Sequence, residues 1–302
     1  MEDTGPADHA KRPDDLEQAA EVFAGVRPRL FGIAYRMLGS STEAEDLVQE
    51  VWLRWQAYER ATVTEPAAFL ATTTTRLAIN VLQSARVRRE TYVGPWLPEP
   101  VDTSADPYLG AERGEALELA VLFLLERLSP TERAAYVLRE AFDYPYSLIS
   151  EIIQTSEASV RQLVSRARKH LRSERRAPVT GAEQRRLLTA FVAAAQTGDL
   201  TALEKILAAD VISYSDGGGV VRASRVPVVG SVRVARYHRA FASRFWAGVE
   251  VRWGDVNGQA AALLFNGGHM FAVLSVHTSG EGIDQVMWMM NPSKITAVSA
   301  PA

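Results

Sequence analysis

The sequence predicts a multidomain chain: two all-α units followed by an α+β domain. Three observations carry that expectation. At 302 residues and 47% hydrophobic content, the chain is too long for one typical compact domain and apolar enough for several cores. Apolar residues recur at helical spacing from Val22 to about Arg176, interrupted by one proline-rich stretch. Beyond Gly248 the spacing changes to alternation and short β-branched or aromatic bursts, with Gly and Asn between them.

Composition narrows the function classes. A net charge of -3 argues against a uniformly basic nucleic-acid coat, so charge has to be read segment by segment. The chain has no cysteine, which excludes disulfide frameworks, cysteine nucleophiles and thiolate metal sites, and neither a metal nor a cofactor is expected. No run of about 18 apolar residues occurs, so no spanning helix and no membrane partner are expected. Residues 1–21 begin acidic and proline-bearing, without the basic start and apolar core of a secretion signal; they read as a disordered tail on a soluble cytoplasmic protein.

The first helical unit spans residues 22–90. Thr42 and Glu45 stand at capping-box spacing, and behind them Ala44, Leu47, Val48, Val51, Trp52 and Trp55 mark one buried face. Glu43, Asp46, Gln49 and Glu50 fall on the opposite face, which composition alone reads as a solvated acidic surface. The loop 58–64 contributes an aromatic, hydroxyls and Arg60 beside a second helix, 65–90. Arg76 and Asn80 lie at its intermediate turns, and Arg86, Arg88 and Arg89 crowd its end. A basic helix end is accounted for equally well by the helix dipole. Residues 91–113 then form a linker: the prolines at 95, 98, 100 and 107 preclude a regular helix or central strand.

The second unit, residues 114–176, contains the most specific local pattern. Ser129-Pro130-Thr131-Glu132 is a helix start with its cap, and the helix behind it buries Tyr136, Val137, Ala141 and Phe142. Asp143-Tyr144-Pro145 breaks that helix, 147–154 forms a short one, and Thr155-Ser156 makes a turn. In the helix from Ser156 to Leu171, Val160, Leu163, Val164, Ala167 and Leu171 share one face, and Gln162, Ser165, Arg166 and Lys169 the other. This is the pattern of a helix-turn-helix with its recognition helix. Ser156, Glu157, Arg161, Gln162 and Ser165 are placed to meet bases, while Arg166, Arg168, Lys169 and Arg172 are placed to meet phosphates. A plain helical hairpin with a solvated basic surface is the alternative.

Residues 181–297 read as helices at 183–197, 201–208 and 231–247, with strands near 211–214, 220–229, 249–256, 260–265, 269–277 and 283–290. The available imidazoles are His238, His269 and His277. Alternation puts His269, Phe271, Val273, Ser275 and His277 on one strand face, so two histidines could look into a cavity. No carboxylate partner stands out by spacing, which favours a non-catalytic domain. The run 287–290, Met-Trp-Met-Met, reads as core.

Arg29 to Gly39 followed by Ala44-Glu45-Asp46-Leu47-Val48-Gln49-Glu50-Val51-Trp52-Leu53-Arg54 resembles the core-polymerase-binding segment of the extracytoplasmic function (ECF) sigma factors, within the sigma-70 superfamily. The resemblance implies sigma domain 2 as a helical bundle at 22–90, sigma domain 4 as the helix-turn-helix at 114–176, and core RNA polymerase and promoter DNA as partners. It implies that Glu43, Asp46, Gln49 and Glu50 dock on the β′ clamp, with the β flap as a further contact. Arg60, Arg76, Asn80, Arg86 and Arg88 would read the −10 element, and Ser156, Glu157, Arg161, Gln162, Ser165, Arg166 and Lys169 the −35 element.

Trp96-Leu97-Pro98-Glu99-Pro100 resembles the linker signature of a subgroup with a SnoaL-like C-terminal extension, an α+β cone. Asp216-Gly217-Gly218-Gly219 and Asn291-Pro292-Ser293-Lys294-Ile295 sit where that subgroup has an Asp-Gly-Gly-Gly-Lys loop and an Asn-Pro-Asp-Lys-Leu tail. Val220 replaces the lysine of the first motif, and Ser293 and Ile295 alter the second. The resemblance implies an interdomain regulatory surface of Trp96, Leu97, Pro98, Asp216, Gly217, Gly218, Gly219, Asn291, Pro292 and Lys294. Two other readings stay open. One is a free-standing helix-turn-helix factor whose C-terminal domain senses a small-molecule ligand; the other is a SnoaL-type enzyme, using His269 or His277, fused to a DNA-binding module.

Overall fold

The computed structural model describes residues 13–104, 117–174, 176–177 and 179–298. Helix α1 (Pro13–Leu38) packs against α2 (Ser41–Ala57) and α3 (Pro66–Glu90), with a 3-10 turn at Arg60–Thr62. Residues 13–21 of the tail expected over 1–21 are therefore helical, and residues 1–12 lie outside the described residues. Residues 13–21 are helical because their apolar positions continue the α1 stripe: Ala19 is buried, and its carbonyl accepts the Trp55 indole N–H at 3.1 Å.

The second unit comprises α4 (Leu119–Leu125), α5 (Pro130–Glu140), α6 (Tyr146–Ile153) and α7 (Glu157–Glu174). Ser129 and Glu132 close a reciprocal capping box at the start of α5. Gln154 adopts left-handed φ at the end of α6 and Ser156 caps α7, which sets the turn between them. Val160, Val164, Ala167 and Leu171 are buried, and Leu163 packs beside them. One continuous apolar core runs from α1 through α7, so the two helical units are fused through their interiors.

The third unit opens with α8 (Gly181–Thr197) and α9 (Leu200–Ile206). Strands β1 (Leu207–Asp216) and β2 (Val228–Val229), helix α10 (Ser231–Phe245) and strands β3 (Val249–Val256), β4 (Gln259–Asn266), β5 (His269–Ser279) and β6 (Gly282–Met289) follow. They form a 6-stranded sheet of order β2-β1-β6-β5-β4-β3, antiparallel except for the β1–β6 pair. The strand expected over 220–229 shrinks to two residues. Gly217 accepts the N–H groups of both Val220 and Val221, closing a turn, and Pro227 has no N–H to offer a ladder.

Both faces of the sheet are apolar, as the unbroken run Ala260-Ala261-Ala262-Leu263-Leu264-Phe265 requires. Ala262, Leu264, Leu274 and Trp288 face α8 and α10. Ala261, Leu263, Phe265, Met287 and Met289 form the outer face and pack on Leu97 of the linker and Leu119 and Ala120 of α4. The third domain is thus covered on its second face by the chain that joins the first two. Leu97 is fully buried there. Leu97→Ala is expected to cost about 2–5 kcal/mol, read by denaturant unfolding, while Val220→Ala, at an exposed site, leaves the curve in place.

Candidate nucleic-acid interface and interdomain clamp

Asp216 ends β1 with no exposed surface, and its carboxylate accepts from four donors. Oδ1 takes the Tyr92 O–H at 2.5 Å and the Gly218 N–H at 3.0 Å; Oδ2 takes the Leu97 N–H at 3.0 Å and Lys294 Nζ at 2.7 Å. Lys294 is buried as well, donates to the Leu97 carbonyl at 2.6 Å, and lies 4.2 Å from the centre of the Trp96 ring and 4.9 Å from that of Tyr92. Leu97 is therefore gripped by its N–H and its carbonyl at once. Burial, and then the Asp216 carboxylate, push the Tyr92 phenol above its usual range, so it remains a donor. The Asn291 amide donates to the Tyr92 hydroxyl at 2.9 Å.

The glycines explain the fit. Gly218 has φ +62, and a Cβ there would stand 2.4 Å from the Asn291 amide nitrogen; Gly219 has φ +73 and faces Val93. Of the residues singled out for interdomain contact, Trp96, Leu97, Asp216, Gly218, Gly219, Asn291 and Lys294 meet here. Val220 and Ser293 do not disturb the ion pair, since both are exposed and the Ser293 hydroxyl donates to the Asn291 Oδ1.

A second set of contacts was not legible as a site. Glu99 is buried and caps α2, accepting from Ser40 Oγ, Ser41 Oγ and the Thr42 N–H at 2.8, 2.8 and 3.1 Å. The Tyr35 hydroxyl donates to the Glu99 carbonyl at 2.6 Å and accepts from the Asn257 amide at 2.7 Å. Asn257 also donates to the Leu117 carbonyl at 2.9 Å and accepts from the Val101 N–H at 3.0 Å. One side chain in a hairpin turn thus touches the first unit, the linker and the start of the second unit. In sequence it is only the Asn of an Asn-Gly turn.

The proposed DNA-reading residues are partly engaged within the chain. Arg76 of α3 donates to the Ile152 and Glu151 carbonyls at the end of α6, at 2.9 and 3.0 Å. Arg60 donates to the Trp55, Gln56 and Asp15 carbonyls. Asn80 is exposed; the side chains of Arg86 and Arg88 lie outside the described residues. On α7, Glu157 pairs with Arg161, Arg166 with Glu132 and Arg168 with Glu140, while Gln162, Ser165 and Lys169 are exposed. Ser156 spends its hydroxyl as the cap of α7. On α2, Asp46, Gln49 and Glu50 are exposed and Glu43 is half-buried. Glu45 and Asp46 border a recess shared with Val101, Asp102 and Ala297, so the end of the third domain reaches the acidic helix.

The histidines are arranged differently from the alternation. Phe271 is the extra residue of a bulge in β5, which moves it to the helix-covered side while Val273 faces the outer cluster. His269 is exposed and His277 buried, so the two do not share a cavity. His277 Nδ1 lies 2.6 Å from Asp284 Oδ1, a carboxylate that spacing did not reveal because a second bulge turns it inward. A cavity of about 700 Å³ does open between α10 and the sheet, and its wall contains His238 instead.

Residues 22–88 match the family described as Sigma-70 region 2, and residues 118–171 match Sigma-70, region 4. The chain is 37% identical over 233 residues to the ECF RNA polymerase sigma factor SigJ of Mycobacterium tuberculosis, spanning 75% of this chain and 74% of that protein. It is 31% identical over 281 residues to the probable ECF RNA polymerase sigma factor SigI of the same organism, spanning 91% of this chain and 93% of that protein. The crystal structure of the Mycobacterium tuberculosis extracytoplasmic function sigma factor SigJ superposes with a TM-score of 0.75 at 30% identity, covering 93% of this chain and 100% of that one.

Two outcomes follow from this geometry. Asp216→Asn removes the charge facing a buried ammonium and is expected to cost about 3–5 kcal/mol. Adding Lys294→Met should restore part of that loss; a single variant as stable as the parent in thermal unfolding contradicts the pairing. Burial also holds the His238 imidazole down to about 4, against an ordinary 6.5. The unfolded chain takes up that proton first, so stability falls as pH drops from about 6.5 to about 4, by about 3 kcal/mol for this ring. His238→Phe should flatten that part of the curve, and parallel unfolding profiles for the two proteins would refute it.

Proposed function

The chain belongs to the extracytoplasmic function RNA polymerase sigma factors, and from that premise we propose that its C-terminal domain holds it in a closed form unable to read a promoter. A sigma factor of this family directs promoter-specific initiation by core RNA polymerase, and regions 2 and 4 imply binding to both core enzyme and promoter DNA. The C-terminal part has the SnoaL-like α+β fold.

In our reading, residues 22–90 act as domain 2, 91–113 as linker, 114–176 as domain 4 and 181–297 as the regulatory domain. Glu43, Asp46, Gln49 and Glu50 dock on the β′ clamp, with domain 4 meeting the β flap. Arg60, Arg76, Asn80, Arg86 and Arg88 serve the −10 element. Ser156, Glu157, Arg161, Gln162, Ser165, Arg166 and Lys169 serve the −35 element. The exposed pairs on α7 are weak enough to exchange for phosphate.

The observation that carries the closed form is Arg76. It joins α3 to the carbonyl end of α6 within 3.0 Å, whereas the −10 and −35 elements stand about 25 base pairs, or about 80 Å, apart along B-DNA. One rigid body of this kind cannot occupy both. Release requires α3 to part from α6, and the linker clamped by Asp216 and Lys294 opposes that. We read the third domain as a regulator without catalysis: among the described residues no carboxylate lines the cavity that holds His238, and the His277–Asp284 pair lies outside its wall. Action on chromosomal promoters would require a cytoplasmic location. No helix among the described residues is long and apolar enough to cross a membrane.

Affinity for core polymerase, with run-off transcription on a promoter library, tests the reading. Asp46→Lys with Glu50→Lys should lower core affinity about tenfold or more, and Asp216→Asn should raise it by loosening the clamp. If none of these substitutions shifts core affinity, the assignment of both surfaces is wrong.

A further inference from the structure

The clamp leaves the cavity of the third domain unexplained. Its wall is aromatic: Tyr237, Phe241, Phe245, Trp246, Phe271 and Trp288 surround about 700 Å³. Phe245 stands edge-on to both Phe271 and Trp288, at 5.7 and 5.3 Å between ring centres, which leaves flat ring faces for a planar guest. Among the described residues, the charged ones of the wall are Arg222 and Arg244, and no Asp or Glu lines it. Both arginines are exposed, and neither has a hydrogen-bond or ion-pair partner among the described residues. Two buried ring nitrogens in the same wall, His238 Nε2 and Trp288 Nε1, are also unpartnered. Native proteins leave few such groups unmet. Burial keeps the His238 ring neutral near pH 7, so the arginines supply the charge of the cavity.

We infer that this cavity binds an aromatic carboxylate, its rings against the aromatic wall and its carboxylate on Arg222 and Arg244, and that occupancy acts on the linker through residues 215–225. The wall and the clamp are built from the same segments. Ser215 lines the cavity and the next residue is Asp216. Met290 lines it too, donates its N–H to the Asp216 carbonyl at 2.8 Å, and is followed by Asn291. Arg222, Ala223 and Ser224 form one side of the wall, and the backbone at 224–225 lies against the linker at Gly94, whose φ of +89 favours glycine. A guest that draws Arg222 inward pulls on the segment that touches the linker. The coupling rests on the clamp reading above; the binding site does not.

The test is a titration of the full-length chain, followed by the fluorescence of Trp246 and Trp288, with benzoate, naphthoate and anthracene carboxylate, and with naphthalenemethanol as the uncharged control. Saturable binding is expected for at least one carboxylate, about tenfold or more tighter than for the alcohol, and it should fall by about tenfold or more in the double variant Arg222→Gln/Arg244→Gln. Absence of saturable binding by all three acids, equal binding of the alcohol, or an unaffected double variant overturns the site. A second arm measures core-polymerase affinity with and without the bound carboxylate, in the parent and in Asp216→Asn. Binding that shifts core affinity in the parent but less in Asp216→Asn supports the coupling; binding that shifts neither overturns it. No binding, with Asp216→Asn still raising core affinity, removes the sensor and leaves the clamp standing.

Discussion

The buried pair of Asp216 and Lys294 organises this molecule. A buried ion pair is seldom a large net gain in stability, because desolvation offsets the attraction. Its worth lies in what it fixes. The Asp216 carboxylate has its four acceptor positions filled, and the ammonium and carboxylate together hold Leu97 by both backbone groups. An extended linker that lacks a ladder of its own is thereby given one position. Glu99, two residues on, then reaches the start of α2, and Asn257 ties Val101 to Tyr35 and Leu117.

The sheet supplies the second constraint. Its outer face is apolar and would be exposed if the linker and α4 withdrew. Closure is therefore driven by burial and given its register by the polar clamp. Opening costs both terms, and a partner that binds only the open form must supply the difference. In the proposed reading, core polymerase and promoter DNA together are such a partner.

Much of this was legible in the sequence, for identifiable reasons. The α7 stripe, the acidic α2 face and the Ser129 capping box obey local rules, and the structure follows them. The apolar run through β4 marked a strand, and the structure shows it buried on both faces. What escaped depends on contacts between distant segments. Asn257 reads as a turn residue until its amide is seen between Tyr35 and Leu117. The tie of Arg76 to α6 is invisible until that helix is placed against it. Phe271 was misplaced and Asp284 overlooked because a bulge shifts the two-residue period, and alternation gives no warning of one. The start of α1 was set too late because a polar, proline-bearing segment hid Ala19.

The central claim is that domains 2 and 4 are held together in the free protein and separate on the promoter. The chain has no cysteine, so dyes can be attached at Ser84→Cys on α3 and Ser147→Cys on α6 without background labelling. Energy transfer between them should be nearly complete in the free protein and fall to a low value in holoenzyme bound to promoter DNA. High transfer retained in the promoter complex, or low transfer already in the free chain, would contradict the account.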